Sequence, residues 1–330
     1  MKVTAKVTVT VLGGGVMGLC AAVELAGRGA QVRLQDPVAE PGPHHCSWWA
    51  GGMLAPFCEG ETAEEPVQRL GQGAAAWWAA QGVGVVSNGS LVLALGRDRA
   101  ELDRFARRTT GHVRLDGAAN AGMEPLLAGR FDRGLHFAGE AHLNPRAALA
   151  QLRHRAATLG VSFHSSGPTE GQIIDCRGLA ARDVLADLRG VKGEMLVLHA
   201  PDIALSRPVR LLHPRIPIYL VPRGQGVFML GATMIESAER GRASVRSVLE
   251  LLSAVYALHP GFAEAEIVEI GTDARPAFAD NRPRLRLRAG VLHLNGLYRH
   301  GYLMAPVLAQ MAAEFLLDGT RPELMDEDCS

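Results

Sequence analysis

No apolar run in the 330-residue chain reaches the roughly 18 residues that a membrane-spanning helix requires, so no bilayer crossing is expected. Lysine is scarce, at Lys2, Lys6 and Lys192 only, and codon bias explains the use of arginine in its place as well as any function would. No block of like charge occurs, and 34 basic residues balance 34 acidic ones. That leaves nothing to grip a nucleic acid or an anionic membrane surface. The five cysteines, Cys20, Cys46, Cys58, Cys176 and Cys329, show neither metal-ligand spacing nor a CxxC pair, and their odd number suits a reducing compartment. No metal site is expected. The opening MKVTAKVTVTVLGGG lacks the apolar core and cleavage site of a signal peptide. These absences describe a soluble cytoplasmic protein acting on small molecules, and a homo-oligomer is compatible with them.

With 48% hydrophobic residues, the chain is long enough for two intertwined domains. Val7 to Leu12 is short and β-branched, Gly13-Gly14-Gly15 follows, and Val16 to Gly27 reads as a helix rich in Ala and Leu. Gly13, Gly15 and Gly18 fit GxGxxG. The first glycine permits the tight turn, the second lets backbone approach a pyrophosphate, and the third lets helix pack on strand. The helix then starts at Val16 and Met17 with its N-terminus toward the phosphates. A second strand, Gln31 to Gln35, ends at Asp36, where a carboxylate meets both hydroxyls of a ribose. This is a dinucleotide-binding βαβ unit, and alone it does not choose between NAD and FAD.

Two further segments make that choice. His45-Cys46-Ser47-Trp48-Trp49-Ala50-Gly51-Gly52-Met53-Leu54-Ala55-Pro56 offers small residues where backbone can lie against a flat ring, with Ser47, Gly51, Gly52 and Met53 nearest it. Near the end, the strand Val291 to Asn295 runs into Gly296-Leu297-Tyr298-Arg299-His300-Gly301-Tyr302-Leu303-Met304-Ala305-Pro306 and an apolar helix to about Leu317. A helix N-terminus there would face the pyrimidine side of a flavin, which gathers negative charge on reduction.

The first of these segments resembles the S-x-x-A-x-G-M-L-A-P stretch, and the second the G-H-x-R-x-G-x-x-L-A-P signature, of the glycine oxidases in the D-amino-acid-oxidase family. Leu297 stands where His is usual. Asn144-Pro145-Arg146 resembles the family's D-P-R, which opens a helix with Pro in its first turn, and Asn144 can cap it. Ile173 to Gly178 matches the family's V-I-x-x-x-G turn, and Val161 the adenine-side backbone position. Lys192-Gly193-Glu194, Tyr219-Leu220-Val221-Pro222-Arg223 and Gly231-Ala232-Thr233-Met234 resemble the family's K-G-E, Y-x-V-P-R and G-A-T-M segments. Arg275-Pro276, after a short strand Glu266 to Ile270, resembles L-R-P, with Ala274 in place of Leu.

From Gly190 to Gly271 the chain reads as antiparallel sheet, and Ser244 to Leu258 as an amphipathic helix with Val245, Val248, Leu249, Leu252 and Val255 facing it. The resemblance implies an α/β fold: a Rossmann-like FAD-binding domain from residues 1–85, 141–189 and 272–330, and an antiparallel-sheet substrate domain from 86–140 and 190–271. It implies non-covalent FAD, with a small amino acid and oxygen as reactants. Arg275 would fork onto the substrate carboxylate, joined by Tyr219 and Arg299, with Met234 as an apolar wall. No histidine is assigned as a base, although His213 and His300 lie near the expected pocket in sequence. Glycine oxidases of thiamine synthesis match best. A broader D-amino-acid oxidase, sarcosine oxidase or dehydrogenase, a pyridine-nucleotide dehydrogenase, and a non-catalytic nucleotide-binding homologue stay open.

Overall fold

A computed structural model describes residues 6–38 and 40–326. The outer ends of the expected FAD-binding segments, with Cys329, lie outside the described residues.

The β-branched strand Thr8–Leu12 pairs in parallel with Gln31–Gln35 on one side and Gln172–Asp175 on the other, and Val291–Asn295 extends the parallel set beyond the latter. Seven strands make this sheet, in the order 325–326, 284–288, 291–295, 172–175, 8–12, 31–35, 162–164. Leu12 is level with both Gln35 and Asp175, so the carboxyl ends of the parallel strands open on one edge, where such sheets hold ligands. Helix Val16–Gly27 is buried almost all round because it lies between sheet and other helices; Leu19, Cys20, Ala21, Ala22 and Leu25 are enclosed. Helices Pro145–Thr158 and Gly301–Asp318 pack beside it. Asn144 caps the former, accepting from the Arg146 N–H at 3.1 Å.

A second sheet of nine strands is mostly antiparallel, in the order 235–236, 189–199, 227–231, 218–224, 209–212, 90–94, 133–137, 113–116, with Glu266–Ala277 paired to Arg189–His199. The pair 209–212 and 90–94 is parallel. A three-stranded ribbon, 53–54, 141–143 and 85–86, joins the glycine-rich Gly51-Gly52 segment to the rest. No helix among the described residues is long and apolar enough to cross a membrane.

Two expectations are corrected. The strand expected to stop at Ile270 continues through Gly271, Thr272 and Asp273 to Ala277, across the domain boundary placed at 271/272, so Arg275 belongs to the second sheet. Pro276 is tolerated because this strand pairs with Arg189–His199 alone and is an edge. The helix observed at Val245–Leu258 turns Val248, Leu252 and Val255 inward as expected, together with Leu251 and Leu258, but Val245 and Leu249 face outward, 86% and 63% exposed. Apolar residues lie almost all round it, so sequence spacing leaves the inward stripe undetermined.

Candidate active site

A cavity of about 750 Å³ lies between the carboxyl ends of the parallel strands and one face of the second sheet. At one end its walls are backbone. Gly13 turns at φ +98°, and a Cβ there would sit 2.7 Å from the Cys176 carbonyl oxygen. Gly18 lies behind this turn, where a Cβ would come within 1.8 Å of the Gly13 oxygen, so the helix can approach its strand only without a side chain. No side-chain oxygen of the N-cap residue Gly15 closes the helix N-terminus, although Ser47 Oγ accepts from the Val16 N–H at 3.1 Å. Asp36 Oδ2 accepts from Gly14 N–H at 2.6 Å and lies 3.0 Å from His45 Nε2; Oδ1 accepts from Val38 N–H at 2.9 Å. Burial pushes this carboxyl up, but these three hydrogen bonds outweigh it and hold the group at about 2. His44 joins this corner, with ligand atoms of Asp36, His44 and His45 within 4.8 Å of one another.

The middle of the cavity is bounded by Gly51, Gly52 and Met53 on one side and by Leu297 to Leu303 on the other. Arg223 fixes the first wall by donating to the carbonyls of Gly51 at 2.8 Å, Ala50 at 3.2 Å and Leu143 at 2.5 Å. Burial lowers its guanidinium to about 10. The second wall ends at helix Gly301–Asp318, whose N-cap residue His300 makes no side-chain cap. The first backbone N–H groups of that helix, and its positive dipole end, therefore point to the cavity without a protein cap.

The far end is built of side chains. Arg210, Tyr219, Gly231, Met195 and Gly271 lie in register across five strands and so share one sheet face. Arg210, Tyr219 and Met195 line the cavity from it. Arg275, two steps farther along its strand from Asp273, lies over Gly193, whose missing side chain makes room for the guanidinium. Its Nη1 donates to the Thr233 carbonyl at 3.2 Å, and among the described residues no carboxylate pairs with it. Arg299 instead sits on Glu59, with Nη2 to Oε1 at 3.0 Å, and Arg210 Nη2 reaches the same oxygen at 3.0 Å. Burial raises the Glu59 carboxyl, but the Arg299 and Arg210 guanidinia beside it hold it well below the usual range. Burial also lowers His300 to about 4, against the pull of Glu59, so this imidazole is neutral at pH 7.

Most of the expected site residues meet in this one cavity: Gly13, Gly15, Val16, Met17, Asp36, Ser47, Gly51, Gly52, Met53, Gly178, Tyr219, Arg275, Leu297, Tyr298, Arg299, His300, Gly301, Tyr302 and Leu303. Gly18, Val161, Gly296, Met234 and His213 are not part of its lining. Val161 is buried, donating its N–H to Ala156 O. Met234 is 51% exposed, and its sulfur accepts from Tyr298 OH at 3.4 Å and Arg299 Nη1 at 3.7 Å. Sequence reasoning missed Glu59, Arg210, Met195 and the Arg240–Asp273 pair. A lone arginine in the apolar strand Val209-Arg210-Leu211-Leu212 was the one available signal, since a charge is not placed inside a sheet without a partner.

The lining fits FAD. A cradle that side chains would fill stands at one helix N-terminus, an ionised carboxylate ends the second strand, and an uncapped helix N-terminus faces the middle. Comparison with known proteins agrees. The sequence profile of the FAD dependent oxidoreductase (DAO) family matches residues 8–315. A Rhizobium etli protein named "Putative thiamine biosynthesis oxidoreductase ThiO" is 50% identical over 323 residues, covering 96% of this chain and 98% of its own. The glycine oxidase of Geobacillus kaustophilus is 26% identical over 359 residues, 95% of this chain and 93% of its own. A crystal structure of glycine oxidase from that organism superposes with a TM-score of 0.82 at 22% identity, over 97% of each chain. The chain therefore belongs to the DAO family of FAD-dependent oxidoreductases.

Proposed function

We propose that the protein oxidises glycine, and related small amines such as sarcosine, to the imine with formation of hydrogen peroxide, and that the imine serves thiazole assembly in thiamine synthesis. The observation that carries this reading is Arg275: a cavity-lining guanidinium with a backbone carbonyl for a partner and, among the described residues, no carboxylate. A half-buried cation left in that state is set for an anionic ligand, and the parallel N–H groups of arginine match a carboxylate. The name of the Rhizobium etli relative supports the thiamine context, and that of the Geobacillus kaustophilus relative supports glycine.

When bound, FAD supplies the two-electron chemistry: hydride leaves Cα, the amine loses a proton as C=N forms, and oxygen takes both electrons and two protons as peroxide. The chain's part is position and field. Arg275 would hold the carboxylate, with Tyr219, from a different strand on the same face of the sheet, closing the other side. Gly51 leaves room for the Tyr219 ring, which a Cβ would meet at 2.8 Å. The dipole of helix Gly301–Asp318 would favour negative charge at the cofactor's pyrimidine edge. Neutral His300 stays out of proton abstraction, which hydride removal from a neutral amine does not require.

Purified protein should be yellow, bleach when glycine is added without oxygen, and form peroxide in air. Peroxide formation with glycine, sarcosine and D-alanine decides the substrate. D-Alanine far ahead of glycine would replace this reading with a broader D-amino-acid oxidase, and protein that is yellow yet inert to all three would be a non-catalytic homologue.

A further inference from the structure

At the ribose end of the cavity three donor side chains converge that the oxidation step does not use. His45 Nε2 stands 3.0 Å from Asp36 Oδ2, the His44 and His45 ring centroids are 4.0 Å apart, and ligand atoms of the three residues all fall within 4.8 Å of one another. Each of the three lines the cavity. Among the described residues, His44 Nε2 and His45 Nδ1 are enclosed without a hydrogen-bond partner. Buried polar atoms in that condition are completed by water, a ligand or an ion.

The backbone that carries the two rings is pinned. Gly42 O accepts from His45 N–H at 3.0 Å, Pro43 O from Trp49 Nε1 at 2.9 Å and His44 O from Arg240 Nη2 at 2.7 Å. Asp36 is oriented in turn by the N–H groups of Gly14 and Val38. Hydrogen bonds placed one step behind the donor atoms are what hold metal ligands in position. Ligand atoms around a tetrahedral zinc ion, with bonds of about 2.0–2.1 Å, lie about 3.3 Å apart. The Asp36–His45 pair is close to that spacing, and His44 reaches it by rotating its side chain. Two imidazoles and a carboxylate suit Zn2+ and its first-row neighbours, whereas Mg2+ and Ca2+ take oxygen donors.

We infer that Asp36, His44 and His45 form a binding site for a divalent transition-metal ion of the zinc class, and that this ion and FAD exclude one another. The carboxylate is the shared part. Asp36 follows strand Gln31–Gln35, where it would hold the ribose hydroxyls, and an ion on it occupies the same end of the cavity. Three protein donors leave a fourth position open to water. The chain without flavin therefore takes metal, and loading with flavin expels it. This holds for any amine substrate and rests only on the ribose lying at Asp36.

The test starts from holoenzyme freed of metal by a chelator. Saturating Zn2+ should raise the apparent Kd for FAD at least tenfold, read as free-flavin fluorescence in the ultrafiltrate, and chelator should reverse it. Linkage makes the effect reciprocal, so FAD should weaken Zn2+ binding to the full-length apoprotein by the same factor in calorimetry. Co2+ on the apoprotein should show the visible bands of a four-coordinate ion and lose them as FAD is added. Mg2+ and Ca2+ at the same concentrations should do nothing. In His44→Ala and in His45→Ala the Zn2+ affinity should fall at least tenfold, with each variant's own FAD Kd without metal as its reference.

Apoprotein that binds no Zn2+ overturns the site, as does Zn2+ binding that survives both histidine substitutions, because the ion then sits elsewhere. Mg2+ acting as strongly as Zn2+ overturns it too, since charge and not donor chemistry would be responsible. Zn2+ and FAD bound together with neither affinity changed, or FAD held more tightly with Zn2+ present, overturn the exclusion. None of these outcomes alters which amine bleaches the flavin, so the oxidase reading is judged separately.

Discussion

The two ends of the cavity are made of different material. At the phosphate end the walls are peptide groups, one helix N-terminus and one carboxylate, and most of the parts come from the single stretch Gly13 to Asp36, with the Cys176 backbone behind it. At the other end they are long side chains from separate strands and a short helix, held by charge across 151 residues between Arg210 and Glu59 and 240 between Arg299 and Glu59. The first end tolerates little change of shape and carries little choice of ligand. The second is where charge is added or removed by single substitutions, so specificity resides there.

The largest effect should come from Gly18→Ala. With its new Cβ aimed at the Gly13 carbonyl from 1.8 Å, the helix and its strand must separate. A loss of about 3 kcal/mol of stability or more is expected, read as colourless or insoluble protein. Yellow, stable protein would show that the backbone end is softer than described.

Arg275→Met should do the opposite, keeping the flavin spectrum while kcat/KM for glycine falls about a hundredfold, in line with about 3 kcal/mol for losing one partner of a hydrogen-bonded charge pair enclosed by the ligand. Steady-state kinetics check it, and a change confined to flavin content would blur the distinction between the ends.

A pH titration sharpens the contrast further. His300 has its folded-state value lowered from 6.5 to about 4, so the unfolded chain binds more protons between those values. Stability from keeping this ring neutral is whole above about pH 6.5 and is lost as pH falls toward 4, by at most about 3 kcal/mol. Thermal melts from pH 7 to 4 should slope less in His300→Asn than in the wild type. Asp36, at about 2, holds its charge throughout that window, so the ribose end should be the less acid-sensitive of the two.

Asp36→Asn should weaken FAD binding by about tenfold, the value of one charge-assisted hydrogen bond, with turnover restored by excess FAD. Gly51→Ala should have the smallest effect. Its Cβ would push the Tyr219 ring from 2.8 Å and raise KM a few-fold without releasing flavin. Fluorescence titration and KM measure the two.

The same division governs what was legible in the sequence. Helix Val16–Gly27 and strands Gln31–Gln35, Val227–Gly231 and Val291–Asn295 fall where residue patterns place them, because periodicity and glycine report local backbone demands. Strand Glu266–Ala277 looked shorter than it is because Gly271-Thr272-Asp273 interrupts its apolar pattern, while its pairing with Arg189–His199 is a long-range fact. Val245 and Leu249 were turned the wrong way for a similar reason: the sheet, not the helix, selects the buried stripe. Glu59 and Arg210 carry no local signature, since only tertiary proximity makes them partners.

One consequence concerns synthesis. Val291–Asn295 lies two strands from Thr8–Leu12 in the first sheet, and the cavity is walled by residues from Leu12 through Leu303. A ribosome-bound chain, or one cut short before Gly301, has the phosphate turn but lacks its opposite wall. Flavin colour would thus report that helix Gly301–Asp318 has docked against the phosphate turn.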